Sequence, residues 1–278
     1  MTVVLDDCRA WWLSCLVTVM LGAEHSHRVQ RAFRVIDHFE REPLFMSTFA
    51  VIIPAAGDSS RFVGFEQKKP FVSLLGIPIW QRTVDHFVAV KSVVEIVLVL
   101  SAEDRSAFEA KFQDDIQARE VKVVSGGACR AASVQNGIRA ITSDAEYIAV
   151  HDAARPLLTE SGLVELFAAA EKHGSVIPGI PVTSTVKQVS ADNKIVGTVD
   201  RQPLRLAQTP QVFQRRILQN AFEMADDLSL FTDEASLVEA SGKNVFVHPG
   251  WSRNLKITTA DDFRLAEMLL QVNTHSSQ

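Results

Sequence analysis

Phe49-Ala50-Val51-Ile52-Ile53 is a run of five apolar residues that leads into Pro54-Ala55-Ala56-Gly57-Asp58-Ser59-Ser60-Arg61, a loop of mostly small residues ending in arginine. An apolar run without alternation is typical of a strand buried on both faces of a parallel sheet. Apolar side chains then recur with helical spacing over residues 79–90. Strand, loop and helix in this order predict the first unit of a doubly wound α/β fold.

The same unit recurs further along the chain. Apolar strands are predicted at 94–100, 121–124 and 147–150, and a helical pattern follows each of them. Alternation of strands and helices at this spacing predicts a three-layer, doubly wound and mostly parallel α/β sheet. Ligands bind such sheets at the carboxyl ends of the strands, so the loops there are expected to carry the function.

The alternation is interrupted between Val176 and Phe213. Two β-like segments, 182–189 and 194–199, flank the turn residues Ala191-Asp192-Asn193 and predict a β-hairpin. Because few of its positions are apolar and no helix covers it, we expect a protruding arm over about residues 182–203 that packs on another surface. The elements predicted after it are a helix from 214, a helix opened by Thr232-Asp233-Glu234, strands at 245–247 and 255–257, and a last helix capped by Thr259.

The composition is that of a globular chain without general affinity for polyanions. Of the 278 residues, 47% are hydrophobic and 22% are charged, and the net charge is −5. This balance argues against nonspecific nucleic-acid binding, so any phosphate chemistry depends on a few placed cations. The three cysteines lack metal-site spacing and leave an odd thiol, which favours free thiols in a reducing cytoplasm.

Residues 1–46 are interpreted as an extension outside the fold, and residues 47–275 as the folded domain. The longest apolar run of the extension, Trp11–Ala23, is shorter than the roughly 20 residues that span a bilayer. Asp6 and Asp7 lie where a signal peptide carries positive charge. The sequence therefore predicts neither a membrane span nor a secretory signal.

Four loops of the predicted sheet combine small residues with cations. They contain Arg61, then the pair Lys68-Lys69, then Gly126-Gly127 with Arg130 and Ser133, and last Asp152 with Arg155. Small side chains let backbone amides approach a phosphate, and an arginine adds charge-assisted donors. Taken alone, each place also has a structural explanation. The small-residue and glycine loops are compatible with tight turns, the lysines with a solvated pair, and Asp152 and Arg155 with an isolated ion pair.

Together, the four loops favour phosphoryl or nucleotidyl transfer. The chain has no spaced glycines of a dinucleotide fingerprint, no G-x-x-x-x-G-K-[ST] motif and no H-E-x-x-H motif. A phosphate oxygen is already ionised near neutral pH, so its attack needs alignment and cancellation of charge rather than a strong base. Arginine, lysine, backbone amides and Mg²⁺ provide both, and Asp152 is placed for a hydroxyl or the metal.

Nine short motifs, in order over about residues 48–272, resemble those of the 2-C-methyl-D-erythritol 4-phosphate cytidylyltransferase family. They are 55–61, Lys69 before Gly76-Ile77-Pro78, Gly126-Gly127 with Arg130 and Ser133, 150–156, Thr185-Val186-Lys187, Asp200-Arg201, 208–211, 232–235 and 254–258. The resemblance implies a nucleotidyltransferase-type sheet. It also implies transfer of CMP from CTP to the polyol phosphate, with release of pyrophosphate, in non-mevalonate isoprenoid-precursor biosynthesis.

Roles for individual residues follow from the resemblance. Arg61 and Lys69 match the pair that stabilises the transition state on the triphosphate, and Arg201 and Lys256 match the pair that positions methylerythritol phosphate. The remaining substrate-binding candidates are Ala55, Ala56, Gly57, Gly127, Ser133 and Ala153 for the cytidine nucleotide, Asp152, Arg155 and Thr185 at other substrate-side positions, and Arg130 of the glycine loop. A divalent cation such as Mg²⁺ is expected, held mainly by the CTP phosphates, with Asp152 as a candidate ligand.

The predicted hairpin corresponds to an arm that enzymes of this family exchange across a homodimer. In that arrangement Thr185 and Arg201 serve the site of the neighbouring subunit. The expected partners are therefore CTP, a polyol phosphate and a second copy of the chain, without nucleic acid or membrane.

The position of the catalytic lysine depends on where the motif is counted from. Counting seven residues on from Arg61 selects Lys68, whereas counting back from Gly76 selects Lys69. We choose Lys69, which requires one inserted residue upstream.

Three positions depart from the family pattern. Ser59 stands where the family has a second loop glycine, and Ala128 and Ser184 stand where acids are common. Two alternatives to the implied activity therefore stay open: a ribitol 5-phosphate cytidylyltransferase on the same scaffold, and a catalytically weak nucleotide-binding scaffold.

Overall fold

The computed structural model describes residues 47–56 and 71–275, so the predictions for residues 1–46 and for Gly57, Ser59, Arg61, Lys68 and Lys69 lie outside the described residues. The strands are β1 (Phe49–Pro54), β2 (Ser73–Leu74), β3 (Ile77–Pro78), β4 (Val93–Leu100), β5 (Val121–Ser125), β6 (Tyr147–Val150), β7 (Ser175–Pro181), β8 (Val186–Val189), β9 (Ile195–Val199), β10 (Arg205–Ala207), β11 (Gln211–Gln214) and β12 (Phe246–Pro249). The helices are α1 (Ile79–Val88), α2 (Ala102–Ala118), α3 (Arg130–Ala140), α4 (Glu160–His173), α5 (Arg215–Met224), α6 (Glu234–Ala240) and α7 (Ala260–His275), with a 3₁₀ turn at Leu228–Leu230.

The central sheet has the order β10-β7-β11-β6-β1-β4-β5, and β12, which lies outside this order, also pairs with β7. The pairs β1–β4, β1–β6, β4–β5 and β7–β12 are parallel, whereas β11 runs antiparallel to β6 and β7, and β10 antiparallel to β7. The predicted mostly parallel α/β sheet is confirmed. The chain order reverses around β1, with β6 on one side and β4 on the other, which is where such sheets bind ligands.

Strand β1 has both of its faces in hydrophobic cores, as its unbroken apolar sequence predicts. Phe49, Val51 and Ile53 pack on the side of α1, α2 and α4, whereas Ala50 and Ile52 pack on the side of α3, α5 and α6. All five side chains are buried. Complete burial of a large apolar side chain contributes about 1.5–3 kcal/mol, so this strand anchors the helices on both faces of the sheet.

Three helix starts have capping bonds, and two of them, at Asp233 and Thr259, confirm the predicted starts. The Ser101 hydroxyl accepts a hydrogen bond from the Asp104 amide at 3.1 Å, the Asp233 carboxylate accepts one from the Ser236 amide at 3.0 Å, and the Thr259 hydroxyl accepts one from the Asp262 amide at 3.2 Å. Each bond satisfies an amide that the first turn of a helix leaves without a partner.

The prediction of a strand at 255–257 is wrong. Ile257 donates a backbone hydrogen bond to the Ala154 carbonyl at 2.9 Å and packs in a small core with α7, but the segment pairs with no strand among the described residues. Ile257 is buried and Leu255 half-buried in a loop against the 151–156 segment, rather than in a strand of a sheet.

The predicted hairpin is observed as the antiparallel pair β8–β9, but it is shorter than expected. Residues 182–185, predicted as part of its first strand, form no strand and connect it to β7 of the central sheet. Val189, Ile195 and Val196 of the hairpin are 52–60% exposed. The role of the hairpin as an exchanged arm stays a prediction.

No helix within residues 47–56 and 71–275 is both long and apolar enough to cross a membrane.

Candidate active site

The glycine loop after β5 lies against the loop after β1. The Ala55 amide donates to the Val99 carbonyl at 2.7 Å, and the Gly126 amide donates to the Leu100 carbonyl at 2.6 Å. A Cβ atom on Gly126 would lie 2.7 Å from the Ser133 hydroxyl and 3.0 Å from the Ala56 Cβ. The close approach of the two loops therefore requires glycine at this position.

Ser133 organises the glycine loop from within. Its hydroxyl accepts a hydrogen bond from the Gly127 amide at 3.1 Å and donates one to the Cys129 carbonyl at 2.9 Å, and the residue is only 3% exposed. A Cβ atom on Gly127 would lie 2.7 Å from the Ala132 Cβ. The predicted pocket residues Gly127 and Ser133 are thus brought together at the start of α3, with Ser133 supporting the loop.

Ala153 joins this group from the loop after β6. Its amide donates to the Pro54 carbonyl at 3.4 Å, and its carbonyl accepts from the Thr83 hydroxyl at 2.9 Å. The predicted cytidine-side residues Ala55, Ala56, Gly127, Ser133 and Ala153 therefore meet where β1, β5 and β6 end. Gly57 lies outside the described residues.

Asp152 is the centre of a second group, at the end of β6. Its carboxylate lies 2.8 Å from the Lys256 ammonium, 3.3 Å from the Arg130 guanidinium and 3.6 Å from the Arg155 guanidinium. Asp152 is 8% exposed, whereas the Lys256 side chain is 43% exposed. Four predicted site residues from three separate parts of the sequence thus converge, with the lysine reaching towards solvent.

Glu234, the first residue of α6, completes the group. Its carboxylate lies 2.7 Å from the Arg130 guanidinium, and its side chain is 1% exposed. Gln211 holds the start of this helix, because its side chain accepts from the Ala235 amide at 2.9 Å and donates to the Asp233 carboxylate at 2.8 Å. We call Arg130, Asp152, Arg155, Glu234 and Lys256 the Asp152 cluster.

The sequence motif 232–235 included Glu234, but gave it no role. An acid at the start of a helix is common because it complements the helix dipole. Only its burial against Arg130, 104 residues away in sequence, shows that Glu234 belongs to the site.

The charges of the cluster stabilise one another. Burial by itself raises the pKa of Asp152, but Arg130, Lys256 and Arg155 outweigh that effect and hold the pKa well below its ordinary value. Burial by itself lowers the pKa of Arg130, but Glu234 and Asp152 raise it by more than burial lowers it. The net pKa lies above its ordinary value, so the guanidinium stays protonated. Burial raises the pKa of Glu234 against the opposing influence of Arg130. Three cations and two acids leave a positive excess, which suits an anionic ligand.

His151 is not placed as a general base. It is completely buried and edge-on to Phe87, and its ring nitrogens contact the Thr209 hydroxyl at 3.0 Å and the Arg155 carbonyl at 3.1 Å. Burial lowers its pKa to about 3, so the ring is neutral near pH 7. His151 is therefore a packed residue at the end of β6.

Thr185 and Arg201, two further predicted site residues, are not brought to the cluster within one chain. Both are exposed, and the Arg201 guanidinium donates a hydrogen bond to the Thr183 carbonyl, beside the hairpin. Their roles as substrate ligands stay predictions.

The described part of the chain contains no group of three or more His, Cys, Asp or Glu side chains that could hold a metal. The two carboxylate oxygens of Asp152 differ in their contacts. Oδ2 lies 2.8 Å from the Lys256 ammonium, whereas Oδ1 lies 3.3 Å from the Arg130 guanidinium. A single acid with one less tightly held oxygen fits Mg²⁺ that takes its other ligands from phosphate and water.

Comparison with known proteins identifies the family of the chain. The family model IspD, 2-C-methyl-D-erythritol 4-phosphate cytidylyltransferase, matches residues 49–272. The chain belongs to this family. A family member from Symbiobacterium thermophilum is 44% identical over 223 residues, which cover 80% of this chain and 92% of the relative, and one from Bacillus cereus is 40% identical over 225 residues, covering 81% and 98%.

Solved structures of the family have the same fold. A 4-diphosphocytidyl-2C-methyl-D-erythritol synthase from Anaerococcus prevotii matches with a TM-score of 0.68 and 26% identity, over 81% of this chain and 99% of that one. A 2-C-methyl-D-erythritol 4-phosphate cytidylyltransferase from Thermus thermophilus matches with a TM-score of 0.67 and 28% identity, also over 81% and 99%. The predicted family and fold class are confirmed.

Proposed function

We propose that this chain transfers CMP from CTP to 2-C-methyl-D-erythritol 4-phosphate, giving 4-diphosphocytidyl-2-C-methyl-D-erythritol and pyrophosphate in isoprenoid-precursor biosynthesis. The observation that carries this proposal is the Asp152 cluster, a set of preorganised charges next to a glycine-rich loop at the carboxyl edge of the sheet. The relatives named above act on methylerythritol phosphate by name, so ribitol phosphate is not favoured.

The reaction exchanges one phosphate bond for another. A phosphate oxygen of the acceptor attacks the α-phosphorus of CTP, the new P–O bond forms, and the bond to the bridging oxygen breaks with pyrophosphate as the leaving group. The attacking oxygen is already ionised, so no proton has to be removed from it. This agrees with His151 being buried and neutral.

The described residues would act by orientation and charge. Lys256, 43% exposed and fixed to Asp152 at 2.8 Å, presents an ammonium to the acceptor phosphate, and Arg155 lies beside it. The Gly126-Gly127 loop, whose own amides bond to Leu100 and Ser133, has no side chains and would let the nucleotide approach its backbone closely. Donors fixed before the reaction stabilise developing charge without reorganising.

The remaining roles rest on the sequence motifs. Arg61 and Lys69 are proposed to neutralise charge on the α-phosphate and the departing pyrophosphate. Thr185 and Arg201 are proposed to reach the acceptor in the neighbouring subunit of a homodimer, through the exposed hairpin. A cytoplasmic location is proposed from the sequence alone, whose three cysteines are odd in number and lack metal-site spacing.

Mg²⁺ is proposed as the divalent cation. When bound, it neutralises phosphate charge, and it would be held mainly by CTP phosphate oxygens, with Asp152 as the protein ligand.

A pyrophosphate-release assay tests the proposed function. The full-length protein, CTP and Mg²⁺ are incubated with methylerythritol phosphate or with ribitol 5-phosphate in parallel. We expect turnover with methylerythritol phosphate and little with ribitol phosphate. The opposite preference would select the ribitol enzyme, and CTP binding without turnover on either acceptor would select a nucleotide-binding scaffold.

A further inference from the structure

Four neutral polar side chains lie buried beneath the Asp152 cluster. They are His151, Gln208, Thr209 and Asn254, and each is at most 5% exposed. Buried polar groups cost free energy unless they are hydrogen-bonded, so their bonds indicate what they hold in place.

The Thr209 hydroxyl fixes the loop after β6 at two points. It accepts a hydrogen bond from the Asp152 amide at 3.1 Å, which leaves its own proton for His151 Nδ1 at 3.0 Å. The other ring nitrogen of His151 then carries the proton and donates to the Arg155 carbonyl at 3.1 Å. One relay thus spans residues 151–155 and holds the backbone of both Asp152 and Arg155.

The Thr209 main chain fixes the loop that carries Lys256. The Asn254 side-chain amide donates to the Thr209 carbonyl at 2.8 Å, and the Asn254 carbonyl accepts from the Arg155 guanidinium at 2.7 Å. On the other side of the lysine, the Ile257 amide donates to the Ala154 carbonyl at 2.9 Å. Lys256 is therefore held between two residues that are bonded to the segments 151–155 and 208–209.

Gln208 closes the same loop at its start. Its side chain donates to the Trp251 carbonyl at 2.9 Å and accepts from the Trp251 amide at 3.1 Å. A Cβ atom on Gly250 would lie 2.6 Å from the Gln208 side-chain oxygen, so the loop requires glycine to approach this closely.

We propose that Thr209 and Asn254 are positioning residues that couple these two loops and so fix Asp152, Arg155 and Lys256 for the acceptor phosphate. This inference rests on the proposed function. Neither residue needs to touch a substrate, because each acts through the loop it holds. Displacing a charged donor by about 1 Å can cost about 10²-fold in rate, so a loss of this coupling is measurable.

The test compares Thr209→Val, which keeps the shape and removes the hydroxyl, with Thr209→Ser, which keeps the hydroxyl. We expect Thr209→Val to raise the KM for methylerythritol phosphate about tenfold, the scale of a partial misplacement, with the KM for CTP changed less than about twofold. Thr209→Ser should recover most of the loss. An equal change in both KM values, or a serine variant as impaired as the valine variant, would overturn the inference.

A second readout does not depend on turnover. Hydrogen exchange of the ligand-free protein should become faster in segments 151–155 and 250–256 of Thr209→Val, because the Asp152 amide loses its acceptor. The matched control is Ser175→Ala, which also removes a buried hydroxyl, but one without a hydrogen-bond partner in the described structure. Unchanged exchange in both segments of Thr209→Val would overturn the inference, whereas a parent protein without turnover would overturn only the proposed function.

Asn254→Ser provides the test if Thr209→Val does not fold. It removes the donor to the Thr209 carbonyl and keeps a short polar side chain. The same selective rise in the KM for the acceptor and faster exchange in 250–256 are expected. A KM effect confined to CTP would overturn the inference.

Discussion

The Asp152 cluster contains predicted substrate ligands and the β8–β9 hairpin is flanked by two more, Thr185 and Arg201, but the two regions are built in opposite ways. In the cluster, Asp152 and Glu234 are buried and paired with cations from distant parts of the sequence. The hairpin contains Val189, Ile195 and Val196 more than half exposed and pairs in a separate two-stranded sheet.

This difference predicts which parts of the proposed site one chain can complete. A buried charge is stable only beside its partner, so the fold of one chain must bring the cluster together. A two-stranded hairpin is marginal in water, and its exposed apolar side chains motivate the proposal that it packs on a second copy of the chain. The predictions below follow from treating the cluster as complete within one chain and the hairpin as completed by a neighbour.

The largest expected effect is on stability, from breaking the buried ion pair. Arg130→Met removes the cation that contacts the 1% exposed Glu234 side chain at 2.7 Å. We expect the free energy of unfolding to fall by about 3 kcal/mol, as when one partner of a buried pair is removed. Urea unfolding measures the change.

Two control variants accompany this measurement. Adding Glu234→Met should recover part of the loss, because neither charge is then left unpaired. Lys187→Met on the exposed hairpin, whose ammonium contacts the Thr198 hydroxyl at 2.6 Å, should have an effect too small to resolve. Equal losses for Arg130→Met and Lys187→Met would show that the two regions do not differ as described.

Next in size is the loss of activity from removing one preorganised cation. Lys256→Ala should lower kcat/KM about 10²-fold, the scale for deleting one preorganised donor. Steady-state pyrophosphate release measures it, with Lys243→Ala, an exposed lysine before β12, as the matched control. A decrease of less than about threefold would remove Lys256 from the substrate site.

A smaller effect concerns acid stability. Burial lowers the pKa of His151 to about 3. The hydrogen bond to the Arg155 carbonyl and the charge of Asp152 oppose this shift, whereas the charges of Arg155 and His86 add to it. Between pH 6.5 and 3 the unfolded chain therefore binds a proton that the folded chain excludes, and acidification favours unfolding.

The slope is at most about 1.4 kcal/mol per pH unit for this one histidine. We expect His151→Gln to have a flatter dependence of unfolding free energy on pH between 6.5 and 4.5, whatever its stability at pH 8. Urea unfolding over this range gives both curves. Parallel curves for the parent and the variant would contradict a neutral, buried His151.

Much of the fold could be predicted because the buried strands have simple sequences. β1, β4 and β6 are nearly unbroken apolar runs and appear where expected. β7 was missed because Pro178 and Gly179 interrupt it, and both residues are unfavourable inside strands. Here a parallel partner, β12, and two antiparallel partners, β10 and β11, hold the strand in place.

The site could be predicted less completely than the fold, because the roles of some of its residues depend on tertiary contacts. Asp152 and Arg155 were found from their loop, and Lys256 and Arg201 only through the resemblance to the family. Neither route assigned a role to Glu234 or Thr209, because what they contact is set by tertiary packing rather than by their own segments.

The most direct test of the account mixes two inactive variants, Lys256→Ala and Arg201→Ala. If Lys256 serves its own chain and Arg201 serves the neighbouring chain, a mixed dimer contains one intact site. Random pairing makes half of the dimers mixed, so re-equilibration should restore up to about one quarter of the parent activity. No recovery, with mixed dimers demonstrated by native mass spectrometry, would place Arg201 in its own chain's site and contradict the account.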